Sequence, residues 1–289
     1  MGDADAFVPR QGGSLANIAV AAARFGARVE MIGGAGGDEW GRWLRERIAG
    51  HGVGVDRFRL PDGVGTSHAF VWVDEGGEPS FAFYGDPERP AAHAAADLRD
   101  ALSGSDGVLV VGSDTLLGQA EREVTMRAVA LARERGWQVL CDPNLRAARW
   151  DSGEEMVRVI ASLVQASTVV KLNEAEAREL SGCGESAAAG EWLRGLGPQV
   201  VVITRGAEGA LIVTAAGGEE VSSVGVELVD ATGAGDCVAG VVAAGMASDL
   251  DLLATVVAAM TAASGVVSVW GATEGLPGPE HARSLITQL

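Results

Sequence analysis

The feature that most constrains the fold is the alternation of two hydrophobic periodicities along most of the chain. Short apolar runs rich in β-branched residues predict strands at residues 29–32, 108–111, 138–141, 168–172, 200–204 and 210–213. Apolar residues spaced by three or four positions predict helices at residues 15–25, 39–49, 121–135, 154–165, 234–247 and 252–267. This alternation indicates βαβ units, so we expect an α/β fold with helices on both faces of a mostly parallel sheet.

One stretch breaks the alternation. Residues 69–73 and 80–84 flank an Asp-Glu-Gly-Gly sequence, which is typical of a β-hairpin. We therefore expect a small β element outside the main sheet. No internal repeat or low-complexity linker divides the rest of the chain.

The composition excludes several classes of function. The 289 residues include 22 Lys and Arg against 39 Asp and Glu, a formal net charge of −17, so no nucleic-acid-binding surface is expected. Three cysteines without metal-binding spacing favour reduced thiols and a cytoplasmic protein. The uncharged stretch 252–273 is rich in small residues and predicts a buried helix, so no contact with a membrane is expected.

Lysine occurs only once, at position 171, and leucine follows it. The chain therefore contains no GxxxxGK[ST] phosphate loop. Lys171 belongs to a predicted strand and precedes Asn173 by two residues. That position allows a role beside a nucleotide phosphate, and the alternative is a solvated lysine at a strand end.

A run of small residues leads into the predicted helix 234–247. Gly233, Ala234 and Gly235 would let the backbone approach a ligand, and the positive end of a helix favours an anion there. Asp236 could then accept the proton of an attacking hydroxyl group. The alternative is an ordinary strand–helix turn with an acidic residue in the first helical turn.

Polar clusters also follow three other predicted strands, where ligands bind in open parallel sheets. Asn173 and Glu176 have the spacing to hold water around Mg²⁺, and equally the spacing of a capping box. Arg146 is placed to reach a hydroxyl or phosphate oxygen. The turn at residues 204–209 could lie beside a nucleotide or serve only as a hairpin turn.

Two glycines precede the first predicted helix. Gly12 and Gly13, with Asn17 one turn later, are suited to binding sugar hydroxyl groups. The alternative is a Gly-Gly turn with Ser14 as the helix N-cap. The glycines at residues 33–37 do not match GxGxxG, which argues against a dinucleotide site.

These clusters, in this order, resemble the ribokinase-like (PfkB) family of carbohydrate kinases. Residues 230–236 match its D-T/A-x-G-A-G-D signature, and Gly12, Gly13 and Asn17 match its GG-x-x-x-N signature. The resemblance implies one domain over residues 1–289. It also implies β-lid segments near residues 1–10 and 64–84, which close over the sugar and often pair two subunits.

The resemblance further implies ATP-dependent phosphorylation of a primary hydroxyl group of a sugar. Asp236 would be the catalytic base, and the backbone of residues 233–236 would form an anion hole. The sugar would be bound by Gly12, Gly13, Asn17, Tyr84, Arg146 and Asp236. The nucleotide would be bound by Lys171, Asn173, Glu176, Thr204, Arg205, Gly206, Gly209 and Gly235. Asn173 and Glu176 would hold Mg²⁺ through water, and Asp230 and Thr232 a monovalent cation such as K⁺.

Within the family, the sequence is most similar to the fructokinases, so fructose is the expected sugar. The usual FYR triplet is here Phe83-Tyr84-Gly85, which argues against an acidic sugar. Family members also begin with a strand carrying G-E/N-x-x-x-D, whereas this sequence starts shortly before Gly12. We therefore expect either an upstream start or a sheet without that strand. The alternatives are a 2-keto-3-deoxygluconate or nucleoside kinase of this family, or a non-catalytic binder of sugar or nucleotide.

Overall fold

The structure, a computed structural model, describes residues 7–85, 96–104 and 106–287. Its strands are β1 (Gly33–Gly34), β2 (Phe58–Arg59), β3 (His68–Val73), β4 (Pro79–Tyr84), β5 (Val108–Gly112), β6 (Gln138–Asp142), β7 (Val169–Asn173), β8 (Val200–Thr204), β9 (Ala210–Thr214) and β10 (Gly217–Val221). Its α-helices are α1 (Ser14–Arg24), α2 (Glu39–Gly50), α3 (Leu98–Ala101), α4 (Gln119–Glu134), α5 (Gly153–Gln165), α6 (Glu174–Ser181), α7 (Ser186–Gly195), α8 (Ala234–Ala247), α9 (Leu252–Val267) and α10 (Pro279–Thr287).

The main sheet contains six strands in the order β10-β9-β8-β7-β6-β5. Strands β5 to β8 are parallel, and β9 and β10 are antiparallel to their neighbours. The predicted mostly parallel sheet is therefore confirmed, and the predicted strands from residue 108 onwards lie within one residue of β5 to β9. Strand β10 was not predicted because its Gly-Gly-Glu-Glu-Val sequence has no alternation of apolar and polar residues. Its pairing with β9 makes it a strand.

Helices cover both faces of this sheet, as the sequence predicts. Adjacent strand residues point to opposite faces, so Val139 and Cys141 pack with α4 and α5, whereas Leu140 packs with α1, α8 and α9. The uncharged stretch forms α9, which is buried against α8. Across the described ranges, no helix combines the length and the apolar character needed to cross a bilayer.

The strand predicted at residues 29–32 is wrong in position. Glu30 forms only an isolated bridge with Gly54, and the strand itself is the two-residue β1. The register explains this break: Gly33 is three positions after Glu30, but its partner Phe58 is four positions after Gly54. The extra residue interrupts the parallel ladder as a bulge does.

The predicted hairpin is confirmed as an antiparallel pair of β3 and β4, separate from the main sheet. Its register places His68, Phe70, Trp72 and Tyr84 on one face, which we call the outer face. Phe81 and Phe83 lie on the opposite, inner face, because facing residues of paired strands share a side.

The expectations for the N-terminus fall partly on residues 1–6, which lie outside the described residues. Residues 7–13 form no strand and lead directly into α1. Phe7 packs against Phe70 of the hairpin, with 4.8 Å between ring centroids. The assignment of residues 1–289 to one domain stays a prediction.

Asp38 joins α2 to the base of the hairpin. Its side chain is the N-cap of α2, accepting from the amide of Gly41 at 2.8 Å, and it also accepts from the amide and hydroxyl of Thr66. The Thr66 hydroxyl is the main cause that lowers the pKa of Asp38 to about 2. The ionised carboxylate thus stabilises the folded state above the ordinary pKa of aspartate.

We predict that Asp38→Ala lowers the free energy of unfolding by about 1–2 kcal/mol at neutral pH. Because the folded-state pKa is depressed, this difference should shrink as the pH falls from about 4 towards 2. Urea unfolding at a series of pH values measures it. Asp62→Ala, which removes an exposed carboxylate nearby, is the control and should change stability by less than about 0.5 kcal/mol. A difference independent of pH would contradict the assignment.

Candidate active site

The carboxyl ends of the parallel strands bring the predicted polar clusters to one edge of the sheet. Gly112 of β5 pairs with Asp142 of β6, and Asn173 of β7 pairs with Thr204 of β8. Helix α8 begins beside this edge and packs against β5, β6 and β7. The clusters at residues 142–146, 171–176 and 204–209 therefore line one edge, as the sequence predicts.

Asp236, in the first turn of α8, is held by two side chains of α1. Ser14 Oγ donates to Asp236 Oδ1 at 2.7 Å, and Asn17 Nδ2 donates to Asp236 Oδ2 at 2.8 Å. The alternative of Ser14 as an N-cap is wrong, because Gly13 is the N-cap and Ser14 is the first helical residue. The spacing of Ser14 and Asn17, three residues apart on one helix face, is the signal that could have revealed the contact.

Small residues allow α1 and α8 to pack closely enough for this contact. A Cβ atom on Gly240 would lie 2.5 Å from Ala21 Cβ and 2.6 Å from the carbonyl oxygen of Ile18. No side chain fits there, so the helix axes can approach. This approach brings the Asp236 carboxylate within hydrogen-bond distance of α1.

Burial raises the pKa of Asp236 above its ordinary value. Hydrogen bonds from Asn17 and Ser14, and the charges of Lys171 and Arg146, oppose this effect and favour the carboxylate. The balance leaves a carboxylate that takes up a proton more readily than an exposed aspartate. This property suits a general base.

The turn before α8 presents backbone amides at its positive end. Gly233 has φ +81°, and a Cβ atom there would lie 2.5 Å from the carbonyl oxygen of Ala272. The amide of Ala234 donates to the carbonyl of Ala231 at 3.3 Å. The backbone amides of Gly233, Gly235 and Asp236 have no hydrogen-bond acceptor within the part of the chain that the structure describes. Three unpaired amides at a helix start can bind an anion.

Lys171 lies under this turn. Its side chain is buried, with the residue 3% exposed, and Nζ donates to Asp142 Oδ2 at 3.2 Å. A Cβ atom on Gly235 would lie 2.7 Å from Nζ, so the ammonium group is directly against the second residue of α8. The alternative of a solvated lysine at a strand end is therefore wrong.

Asn173 and Glu176 form a complete capping box at the start of α6. Asn173 Oδ1 accepts from the amide of Glu176, and Glu176 Oε2 accepts from the amide of Asn173. Glu176 Oε1 also accepts from the amide of Leu145 at 2.7 Å. Each carboxylate oxygen keeps a second lone pair, so this oxygen donor set also fits Mg²⁺ held through water. The cap and the metal role are compatible.

The turn after β8 is shaped by its glycines. Gly206 and Gly209 have φ +56° and +92°, and a Cβ atom on Gly209 would lie 1.9 Å from the carbonyl oxygen of Val221. Arg205 forms an ion pair with Glu220 of β10. Its guanidinium group is thus engaged by a carboxylate at the side of the site.

Asp230 and Thr232 lie in the loop that leads into α8. Asp230 Oδ1 accepts from the amide of Thr232, and Oδ2 accepts from the amide of Gly271, both at 2.9 Å. Asp230 thereby ties this loop to the loop after α9. Thr232 Oγ1 is buried without a hydrogen-bond partner. Across the described ranges, no group of three His, Cys, Asp or Glu side chains could hold a metal ion.

The structure does not bring Tyr84 to the other predicted sugar ligands. Tyr84 is 54% exposed and stacks on His68 of the outer face of the hairpin. The inner face turns towards the site, because Arg146 lies 5.2 Å from the ring of Phe81. Arg149 similarly lies 5.0 Å from the ring of Phe83. The prediction of Tyr84 as a sugar ligand failed because adjacent residues of a strand point to opposite faces, so Tyr84 and Phe83 lie on different sides of the hairpin.

Gln11 is a polar residue near the site that sequence reasoning missed. It precedes the Gly12-Gly13 pair, is buried, and has no partner for either side-chain polar atom. Asn17 Oδ1 and Asp142 Oδ1 are also buried without partners. Buried polar atoms are normally paired, so their concentration at this edge indicates a place for a polar ligand or water.

The sequence is similar to those of known carbohydrate kinases. The model of the pfkB family carbohydrate kinases matches residues 2–279. Fructokinase-2 of Solanum habrochaites is 32% identical over 257 residues, which cover 88% of this chain and 78% of the relative.

Two solved structures share the fold. A fructokinase from Vibrio cholerae O395, with fructose, ADP and calcium bound, has a TM-score of 0.90 at 29% identity, covering 98% of this chain and 93% of the other. An aminoimidazole riboside kinase from Salmonella enterica, complexed with aminoimidazole riboside and an ATP analogue, has a TM-score of 0.87 at 28% identity, covering 99% and 95%. The fold is thus ribokinase-like, and the chain belongs to the pfkB family of carbohydrate kinases.

Proposed function

We propose that this carbohydrate kinase transfers the γ-phosphoryl group of ATP to a primary hydroxyl group of fructose. The observation that carries the proposal is the partly buried Asp236 carboxylate in the first turn of α8, oriented by Ser14 and Asn17 beside the unpaired amides of that turn. Similarity to the Vibrio cholerae and Solanum fructokinases supports fructose as the acceptor.

Asp236 acts as the general base in this proposal. It accepts the proton of the sugar hydroxyl as the oxygen attacks phosphorus, while ADP leaves on the opposite side. The backbone of residues 233–236 stabilises the charge on the transferred group, with Gly233, Gly235 and Asp236 offering unpaired amides. Ala234, whose amide donates to Ala231, contributes its small side chain rather than a free amide.

The sugar lies against the start of α1. Gly12 and Gly13 leave room for it, and the unpaired Oδ1 of Asn17 accepts from a sugar hydroxyl. Arg146, whose charge already favours the Asp236 carboxylate, faces the same space. We do not extend the sugar role to Tyr84, since its ring is on the outer face of the hairpin.

The nucleotide lies along the carboxyl ends of β7 and β8, beside Asn173 and the 204–209 turn. Thr204, Arg205, Gly206 and Gly209 shape that end, and Arg205 would reach a phosphate by exchanging Glu220 for it. Mg²⁺ would be held through water by Asn173 and Glu176, where it would neutralise phosphate charge. A monovalent cation, K⁺ for example, would be bound near Asp230 and the unpaired Thr232 hydroxyl.

The identity of the phosphoryl acceptor needs a direct test. A coupled assay of ADP release should compare fructose with ribose, 2-keto-3-deoxygluconate, adenosine and aminoimidazole riboside. We predict that kcat/KM for fructose exceeds the others by about tenfold or more. A nucleoside or the acidic sugar as the best acceptor would contradict the fructose proposal but retain the kinase.

Asp236→Asn tests the proposed base in the same assay. It keeps the side-chain shape but removes the proton acceptor, so turnover should fall by about 10²–10⁴-fold while the affinity for a non-hydrolysable ATP analogue changes little. Asp249→Asn, at the exposed opposite end of α8, should keep wild-type turnover. Ligand-induced thermal shifts without ADP release from the wild type would instead indicate a non-catalytic binder.

The hydrogen bond from Ser14 predicts a pH effect. The Ser14 hydroxyl stabilises the charged form of Asp236, so Ser14→Ala should raise the pKa of Asp236. The acidic limb of the pH profile of kcat/KM should then move to higher pH. Lys171, Arg146 and Asn17 remain and act in the same direction as before. A pH–rate profile measures the shift, with Ser162→Ala on α5 as the control. An acidic limb that stays in place would contradict the assignment.

We also propose that the outer face of the hairpin pairs two copies of the chain. Phe7, Phe70, Trp72 and Tyr84 are exposed together there, and exposed apolar clusters mark interaction surfaces. Light scattering should give twice the chain mass of 29.5 kDa for the wild type. The double variant Phe70→Glu/Trp72→Glu should give the mass of one chain. Trp192→Glu, an exposed tryptophan of α7, is the control and should stay dimeric. A wild-type monomer would overturn the proposal.

The proposed location is the cytoplasm. The three cysteines, Cys141, Cys183 and Cys237, are all free, as is usual in a reducing compartment.

A further inference from the structure

The single lysine of the chain lies in an unusual electrostatic position. Lys171 Nζ is against Gly235, close to the positive end of α8, where a cation is normally disfavoured by the helix dipole. The residue is almost fully buried, so water does not compensate. A buried cation in this position requires anions around it.

Three carboxylates supply that compensation. Asp142, Glu176 and Asp236 are the carboxylates whose negative charges act on the ammonium group. Asp142 makes the direct contact, at 3.2 Å, while its other oxygen, Oδ1, is unpaired. Asp142 itself is buried, and burial raises its pKa above the ordinary value although Lys171 opposes the shift.

We propose that Lys171 is a positioning residue for phosphoryl transfer, acting from beneath the anion hole rather than as a ligand of the nucleotide. Asp142 anchors the ammonium group, the ammonium group supports Gly235, and its fixed positive charge adds to that of the unpaired amides above it. This inference rests on the proposed function, because it assumes that the transferred phosphoryl group binds at these amides.

The geometry also explains why position 235 is glycine. Gly235 has an ordinary helical conformation, so backbone freedom does not require glycine there. The contact with Nζ favours glycine instead, since a Cβ atom at this position would push the ammonium group away from its present place. Gly235 therefore allows the ammonium group of Lys171 to lie close to the backbone amides at the start of α8.

A pair of variants separates this role from a purely structural one. Lys171→Met keeps an unbranched side chain but leaves Asp142 buried without its partner, so both the melting temperature and kcat should fall. Lys171→Met/Asp142→Asn removes both charges and should recover most of the melting temperature. If Lys171 positions the anion hole, kcat of this double variant stays about 10²-fold below the wild type, with KM for the sugar little changed.

The comparison variant is Asp142→Asn alone. It retains the cation but weakens its anchor, so kcat should fall by less than in the double variant. A Lys171→Met/Asp142→Asn variant with nearly wild-type kcat would overturn the proposal. It would show that the ion pair only stabilises the fold.

The composition offers a readout that does not depend on turnover. Because the chain contains one lysine, protein labelled with ¹⁵N and ¹³C lysine gives a single side-chain Nζ signal in NMR spectra. We expect that signal to move when ADP, Mg²⁺ and aluminium fluoride, a mimic of the transferred phosphoryl group, are added. An unchanged signal with saturating nucleotide would overturn the proposal.

These measurements distinguish two failures. If the wild type releases no ADP with any acceptor, the proposed function fails, whereas a moving Nζ signal would still place Lys171 beneath an occupied anion site. If ADP is released but the signal stays fixed and the double variant is active, the proposed function survives and the role of Lys171 fails.

Discussion

The contact between α1 and α8 is the interaction on which the site depends. Asp236 and Gly240 are one turn apart, so the face of α8 that carries the carboxylate is also the face that packs against α1. The opposing face of α1 is equally regular and consists of Ser14, Asn17, Ile18 and Ala21. Tight packing at Gly240 therefore fixes the distance of the polar pair above it. The apolar end of the interface determines the geometry of the polar end.

This arrangement solves an electrostatic problem. A carboxylate withdrawn from water is costly unless hydrogen bonds and cations stabilise it, and the partly buried Asp236 has two donors together with Lys171 and Arg146. The formal net charge of −17 belongs to the whole molecule, while the positive features at the carboxyl edge are local. Backbone amides, one arginine and one buried lysine can therefore serve an anionic nucleotide in an acidic protein.

The sequence predicted the parts of the molecule that repeat or that match a pattern. Apolar runs located β5 to β9, and the glycine-rich turn before α8 located the carboxylate beside it. Pairings between distant residues were not predictable in the same way. Nothing local to Lys171 indicates that Asp142 is its partner, and the contact of Ser14 with Asp236 exists only because α1 crosses α8. The outward direction of Tyr84 likewise follows from the hairpin register, which composition does not fix.

The hairpin is also tied to the loop before α8, not only to Arg146 and Arg149. The carbonyl of Gly77, in its turn, accepts from the amide of Ala231, and a Cβ atom on Gly77 would lie 2.5 Å from Leu228 Cγ. The loop that holds Ala231 continues directly into Gly233. Any displacement of the hairpin turn must therefore break this hydrogen bond or carry the loop with it. The hairpin turn and the loop before α8 are consequently parts of one mechanical unit.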